Sequence, residues 1–396
     1  MGASSVPSNH GRYVFRDYLD GLPFVNAPDF VAAINEVVRE RNVDFIFPAH
    51  DSVVLKLAQH ETQLACPMIG SPVATCEVCR SKSATYTTFR DIVPTPKVFG
   101  REEADMPFPV FLKPDVGQGT KGVYVAESRK ELDRYVDKYP SILILEYLPG
   151  EEFTVDCLTD RHRALRFVGA RRRVRTQNGI SMDTHPVQDA EFDHLARTIN
   201  ETLLFRGAWF FQVKRNARGI LTLMEIAPRI SGGMGLFRNM GINFPLLSIF
   251  DALDQEIDIL CNEYSIEMDR ALVSRFRLDL EYDHVYIDLD DTLLLGSQVN
   301  PLAVAFIYQC RNRGVQVHLV TRHAGDIRNT LRESALEGLF DSITSLDRLT
   351  RKSECIESQK AIFIDDSFAE RKRVHEAMGI PTFGVDAIES LLDWRT

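Results

Sequence analysis

Phe111-Leu-Lys-Pro-Asp-Val-Gly-Gln-Gly-Thr-Lys-Gly122 leaves an apolar strand through a lysine and enters a glycine loop, Gly117-x-Gly119-x-x-Gly122. The loop runs directly into a second apolar stretch, Val123-Tyr-Val125. Glycines let backbone amides approach phosphate oxygens with no β-carbon in the way. A dinucleotide-binding GxGxxG turn would open a helix, whereas this loop joins two strands. The stretch therefore predicts a β-hairpin with Lys113 at its base.

Composition sets the frame around it. At 396 residues the chain exceeds one ordinary core, so two or three domains are expected. Hydrophobic residues at 44% and charged residues at 26% are globular values. No apolar run approaches the ~18 residues of a membrane span. No basic segment leads into an apolar core at the start, so no signal peptide is expected. A cytoplasmic protein without a membrane partner follows, and a homo-oligomer is compatible with it. Seven cysteines fit reduced thiols, and Cys76-x-x-Cys79 has no second pair at ligand spacing. The net charge of −10 disfavours nucleic acid, so any phosphate site has to be locally basic.

Val31, Ile34, Val37 and Val38 recur at helical spacing ahead of a short expected strand, 43–48, as in a parallel α/β layer. From 80 to 275 strands dominate, at 110–113, 123–125, 142–145, 153–155, 209–213 and 221–226, with helices at 130–138 and 191–204. A polar junction, 276–284, leads to a third region of alternating strands and helices.

Four more motifs follow the loop's logic. Ser81-Lys82 begins a helix before Val93-Pro-Thr-Pro-Lys97, and Ile144-Leu-Glu146-Tyr-Leu148-Pro-Gly-Glu-Glu152 ends a strand in carboxylates. Phe211-Gln212-Val-Lys214 and Met224-Glu225-Ile-Ala-Pro-Arg229-Ile-Ser-Gly-Gly233 place polar groups on apolar strands. Over residues 1–275 this order resembles the ATP-grasp superfamily, nearest its carbamoyl-phosphate-synthase-like subgroup. The resemblance implies that Lys82, Lys113, Gly117, Gly119 and Gly122 bind ATP phosphates. Glu146 and the backbone through Leu148 would meet adenine, and Glu152 the ribose. Gln212 and Glu225 would hold Mg2+, with Mn2+ as the alternative ion, and Arg229 would contact the transferred group. The chain departs from the family at Ala227, where an Asn oxygen is usual and water has to substitute. It also starts near the family's second strand, and the missing piece would line the acceptor side of the cleft. Arg171, Arg172, Arg173 and Arg175 alternate along one strand, so not all four reach one site; an anion clamp and a solvated face both remain open.

The third region carries its own chemistry. Val285-Tyr-Ile-Asp288-Leu-Asp290-Asp-Thr ends an apolar strand in carboxylates at i and i+2, which strand geometry aims into one site. Further strands end in Thr321 and in Asp365-Asp366, and Lys352 lies between them. This order resembles the haloacid dehalogenase (HAD) superfamily. The resemblance implies Asp288 as nucleophile, Asp290 as general acid and base, and Thr321 and Lys352 on the phosphoryl oxygens. Mg2+ would be bound by Asp288, Asp365 and the Asp290 carbonyl, with Asp366 supporting. Lys360 is the alternative lysine. The interval 292–315 has room for one helix, so no cap domain is expected.

The expected architecture is a multidomain α/β and α+β chain: a truncated α/β domain (1–80), an ATP-grasp domain (81–275) and a doubly wound, Rossmann-like HAD domain without cap (283–396). The expected function joins an ADP-forming ligase, acting on a small carboxylate and an amine, to a phosphatase acting on a phosphoester metabolite. A kinase paired with the phosphatase, and a nucleotide-sensing module beside it, remain the alternatives.

Overall fold

The computed structural model describes residues 1–117, 122–139 and 141–395, so Gly119 lies outside the described residues. The chain divides into two compact units, Leu22–Leu272 and a second made of Met1–Gly21 with Val273–Thr396. Residues 1–80 are thus shared between them.

In the Leu22–Leu272 unit the expected hairpin is present. Val110–Pro114 pairs antiparallel with Tyr124–Ala126, and Val98–Phe99 and Ile142–Glu146 complete a four-stranded sheet. Leu132 and Val136 of the helix Arg129–Lys138 cover its apolar face at Val110, Leu112 and Ala126. Gly122 has φ +76°, and a β-carbon there would press Pro114 Cγ at 3.0 Å, so glycine is required on two counts.

A larger antiparallel sheet follows, in the order Leu221–Ala227, Gly207–Arg215, Glu152–Thr159, Leu165–Gln177, Ile180–Val187, Met268–Asp269. Phe192, Leu195, Ala196 and Ile199 recur at helical spacing on Ala190–Thr202 and pack on Val155, Cys157, Trp209 and Phe211. Asp189 caps that helix by accepting from the Glu191 amide at 2.9 Å. The two long strands 165–177 and 180–187 join through Asn178-Gly179, both at positive φ, a two-residue hairpin turn.

The expected strand at 43–48 is corrected to one parallel bridge, Ile46↔Met68. Pro48 has no N–H to donate, and no ladder extends beyond the bridge. The preceding helix forms as Phe30–Glu40.

The Val273–Thr396 part carries five parallel strands in the order Ser342–Ser345, Gln316–Thr321, His284–Ile287, Ala361–Ile364, Thr382–Phe383. Val285, Ile287, Leu319, Ile362 and Ile364 face Phe306 and Ile307 of the helix Pro301–Asn312. Tyr286, Val320 and Phe363 face Val374 of Phe368–Met378. Burial on both faces explains the unbroken apolar runs. A short hairpin, Leu294–Leu295 with Gln298–Val299, and the helix Pro301–Asn312 fill the interval after Asp290. No helix among the described residues is long and apolar enough to cross a membrane. All seven cysteines are free.

Candidate functional site

In the Leu22–Leu272 unit, Lys82, Lys113, Gly117, Glu146, Leu148, Glu152, Gln212 and Glu225 line one cleft of about 290 Å³. Both sheets contribute. A neighbouring hollow of about 320 Å³ shares Lys82, Gly117, Gln212 and Glu225 and adds Arg229.

Lys82 opens the helix Lys82–Phe89, whose cap Ser81 accepts from the Ala84 amide at 3.1 Å. The Asp115 carboxylate accepts from the Ser83 amide at 2.7 Å and from Ser81 Oγ at 2.9 Å, which ties the base of the glycine loop to the helix start. Lys82 Nζ donates to the Asp115 and Gly117 carbonyls at 3.2 and 3.3 Å. Burial makes its ammonium more acidic than an ordinary lysine's, against the opposing pull of Glu225. Lys113 is more deeply buried, and desolvation pushes its ammonium down to about 8, again against Glu225. Its Nζ donates to the Met224 carbonyl at 3.3 Å, which also accepts from Tyr86 Oη at 2.9 Å. That carbonyl is free because the strand pairing steps from Gln212↔Glu225 to Val213↔Leu223 and skips Met224, a β-bulge.

The same register sets Gln212 opposite Glu225. The Gln212 amide donates to Glu225 Oε1 at 3.2 Å and accepts from Arg173 Nη1 at 2.9 Å. Arg173 also pairs with Glu152 at 2.7 Å. Alternation turns Arg171 and Arg173 inward and Arg172 out, and the register shifts on either side of Arg175 leave it exposed as well, with Arg172 on Glu151 and Arg175 on Asp269. Glu146 accepts from the Lys97 amide at 3.2 Å. Arg229 holds Asp51 through two bonds, at 2.5 and 3.0 Å. Burial raises the Asp51 carboxyl, but the Arg229 guanidinium outweighs it and holds the group below its ordinary value. Gln212 and Glu225 offer hard oxygen donors suited to Mg2+, one carboxylate and one amide oxygen already engaged by Arg173.

In the second unit, Asp288, Asp365 and Asp366 bring carboxylate oxygens within 4.8 Å of one another, a donor set that fits a divalent cation. Buried Lys352 donates to Asp288 at 2.5 Å and to Asp365 at 2.6 Å. Burial first, and Asp365 second, raise Asp288 to about 6 despite Lys352. Burial also raises Asp365. Thr321 Oγ1 is buried and has no partner among the described residues. Asp290 stands outside the three-carboxylate cluster, with His323 Nδ1 2.9 Å from its carboxylate and Thr330 Oγ1 2.9 Å from His323 Nε2. Lys360 is exposed at the opposite end of its strand, where its carbonyl accepts from Asp283.

Asp51, Asp115 and His323 were not among the residues expected from motifs, and Arg173 was expected only as one of a run of arginines, not as the partner of Gln212 and Glu152. Asp51 sits 178 positions from Arg229, and no local pattern marks it.

Residues 138–272 match the family described as "ATP-grasp in the biosynthetic pathway with Ter operon". A carbamoyl-phosphate synthase of Methanobrevibacter smithii is 26% identical over 136 residues, covering 31% of this chain and 37% of that protein. A D-alanine--D-alanine ligase of Thermotoga petrophila is 31% identical over 97 residues, covering 22% of this chain and 32% of that protein. The chain thus spans about a third of the length of these curated relatives. The biotin carboxylase domain of Hydrogenobacter thermophilus 2-oxoglutarate carboxylase, solved with MgADP, ADP and bicarbonate, superposes with TM-score 0.53 at 14% identity over 61% of each chain. The mixed α/β fold expected for this part of the chain is therefore the ATP-grasp fold.

Proposed function

We propose that the Leu22–Leu272 unit is an ADP-forming carboxylate–amine ligase and that the Val273–Thr396 part is a HAD-type phosphatase. The ligase reading rests on one observation: two buried lysines face the Gln212–Glu225 pair across a single cleft. The D-alanine--D-alanine ligase and carbamoyl-phosphate synthase relatives, and a structural neighbour solved with MgADP, support it.

In this reading Lys82 and Lys113 offset the phosphate charge of ATP, and Glu146, Leu148 and Glu152 seat the nucleoside. An oxygen of the acid attacks the γ-phosphorus, the bond to the β–γ bridging oxygen breaks, and ADP leaves. The amine nitrogen then attacks the acyl carbon. Phosphate departs with the electron pair of the C–O bond, and the nitrogen gives up a proton. Mg2+ held by Glu225 and Gln212 would supply further charge neutralisation.

The phosphatase reading rests on Lys352 bridging Asp288 and Asp365, with Thr321, buried and without a hydroxyl partner among the described residues, at the end of the neighbouring strand. Asp288 attacks phosphorus as the phosphoester bond breaks, and Asp290 supplies the leaving group's proton. Water then attacks the aspartyl-phosphate at phosphorus, passes its proton to Asp290, and frees phosphate and Asp288. Mg2+ on Asp288, Asp365 and Asp366 would stabilise the charge on the phosphoryl oxygens.

ADP release measured with pooled acids and amines tests the first reading. Release that requires both is expected. A stable phosphoproduct formed from one acceptor would make the unit a kinase, and nucleotide binding without turnover would make it a sensor. For the second reading, Asp288→Asn is expected to abolish Mg2+-dependent hydrolysis of an aryl phosphate; unchanged hydrolysis would refute it.

A further inference from the structure

The hollow beside Glu225 is lined by Arg80, Lys82, Arg171, Arg173, Arg229 and Arg270. Arg171 is 3% exposed. Its Nε donates to Asp156 at 2.7 Å and its Nη2 to Ser231 Oγ at 3.2 Å, yet Nη1 is buried with no partner among the described residues. Ser181 Oγ, on the same lining, is also buried and has no partner among the described residues. Buried donors are ordinarily satisfied, so two orphans in one hollow point to acceptors on a ligand.

The surroundings are shaped for the same purpose. A β-carbon on Gly233 would lie 2.3 Å from Arg171 Cζ, so Gly233 makes room for that guanidinium, and the Arg270 guanidinium lies in ordinary van der Waals contact with the Gly232 position. The Arg270 amide donates to Met182 O at 2.7 Å, which brings Arg270 up to the Ser181 strand. Among the described residues the Arg270 guanidinium has no ion pair, and Arg80 donates to Ser52 Oγ and the Gly117 carbonyl. The lining contains two carboxylates, Asp51, clamped by Arg229, and Glu225, paired with Gln212. The cations outnumber them.

We infer that this hollow binds an acid carrying a second anionic group, a carboxylate or a phosphoryl. Arg171 Nη1, Ser181 and Arg270 take the second group, and Arg229, exchanged from Asp51, takes the carboxylate that reacts. The inference rests on the ligase reading for the fate of the acid, not for its binding.

Calorimetry on the full chain with Mg2+ and a non-hydrolysable ATP analogue tests it with succinate, 3-phosphonopropionate and butyrate, and with glutarate against pentanoate. At least one dianion is expected to bind about tenfold more tightly than its monoanion, as charge-assisted bonds to arginine allow. The better of succinate and 3-phosphonopropionate identifies the second group. Arg270→Gln and Ser181→Ala are expected to erase the preference while leaving analogue affinity unchanged. Equal binding of monoanions and dianions at both lengths, or a preference that survives both variants, overturns the inference. Dianion binding without ADP release would sink the ligase reading alone. ADP release driven equally by butyrate and succinate would sink this inference alone.

Discussion

Replacing Lys113 by methionine separates the cost of burying a charge from its use. The folded chain holds the Lys113 ammonium at about 8 instead of 10.5, through burial, with Glu225 opposing. Between those values the unfolded chain carries more protons than the folded one, so stability rises with pH across that window, and the full penalty stands below pH 8. The depression corresponds to about 3 kcal/mol. Losing the bond to the Met224 carbonyl gives back about 1 kcal/mol, so Lys113→Met is expected to stabilise the chain by about 2 kcal/mol at pH 7. The gain should fade as pH approaches 10.5. The same substitution is expected to impair ATP binding, because the nucleotide's phosphates draw a proton back onto the lysine. At pH 8, where the lysine is half protonated, wild-type protein should take up as much as ~0.5 proton per ATP, and almost none at pH 6.5. Titration calorimetry in two buffers of different ionisation enthalpy measures this uptake. Uptake at pH 8 that is undiminished in Lys113→Met, or absent from the wild type, would refute the assignment of a lysine depressed by burial to the nucleotide cleft.

Gly233→Ala is expected to cost about 1–3 kcal/mol in urea unfolding, because the new methyl meets the buried Arg171 guanidinium at 2.3 Å; an unchanged midpoint would mean that Arg171 does not occupy this position. Lys352→Met leaves Asp288 and Asp365 buried without their cation and should destabilise the chain by about 3–5 kcal/mol at pH 7, with a smaller loss near pH 5 where the carboxyls take up protons. An equal loss at both pH values would contradict the ion triad.

What could be read ahead of the structure depended on whether the signal was local. The glycine loop between two apolar stretches gave a hairpin because turn and strands are contiguous, and Gln212 and Glu225 met because one short connection sets their register. The three central strands of the second unit announced themselves as apolar runs ending in Asp or Thr, whereas the edge strands Ser342–Ser345 and Thr382–Phe383 are short and not buried and left no such signal. The arginine run was only half legible: alternation said that some would turn away, but only the register against Glu152–Thr159 shows Arg171 and Arg173 inside. The 43–48 stretch has strand composition but no partner to ladder with, a fact outside its own residues. Asp51 and His323 are fixed by tertiary packing alone, so no pattern near them could have marked their grip on Arg229 and Asp290.

The skipped pairing at Met224 has a mechanical consequence. Lys113 belongs to the small sheet, Tyr86 to the helix that begins at Lys82, and Met224 to the large sheet, so three elements of the unit are pinned to one oxygen. An ammonium has three protons, and one bond to this oxygen leaves two for a phosphate, so the pin need not be drawn when a nucleotide arrives. The stretching frequency of a 13C-labelled Met224 carbonyl is therefore a built-in gauge of how tightly the two sheets are drawn together.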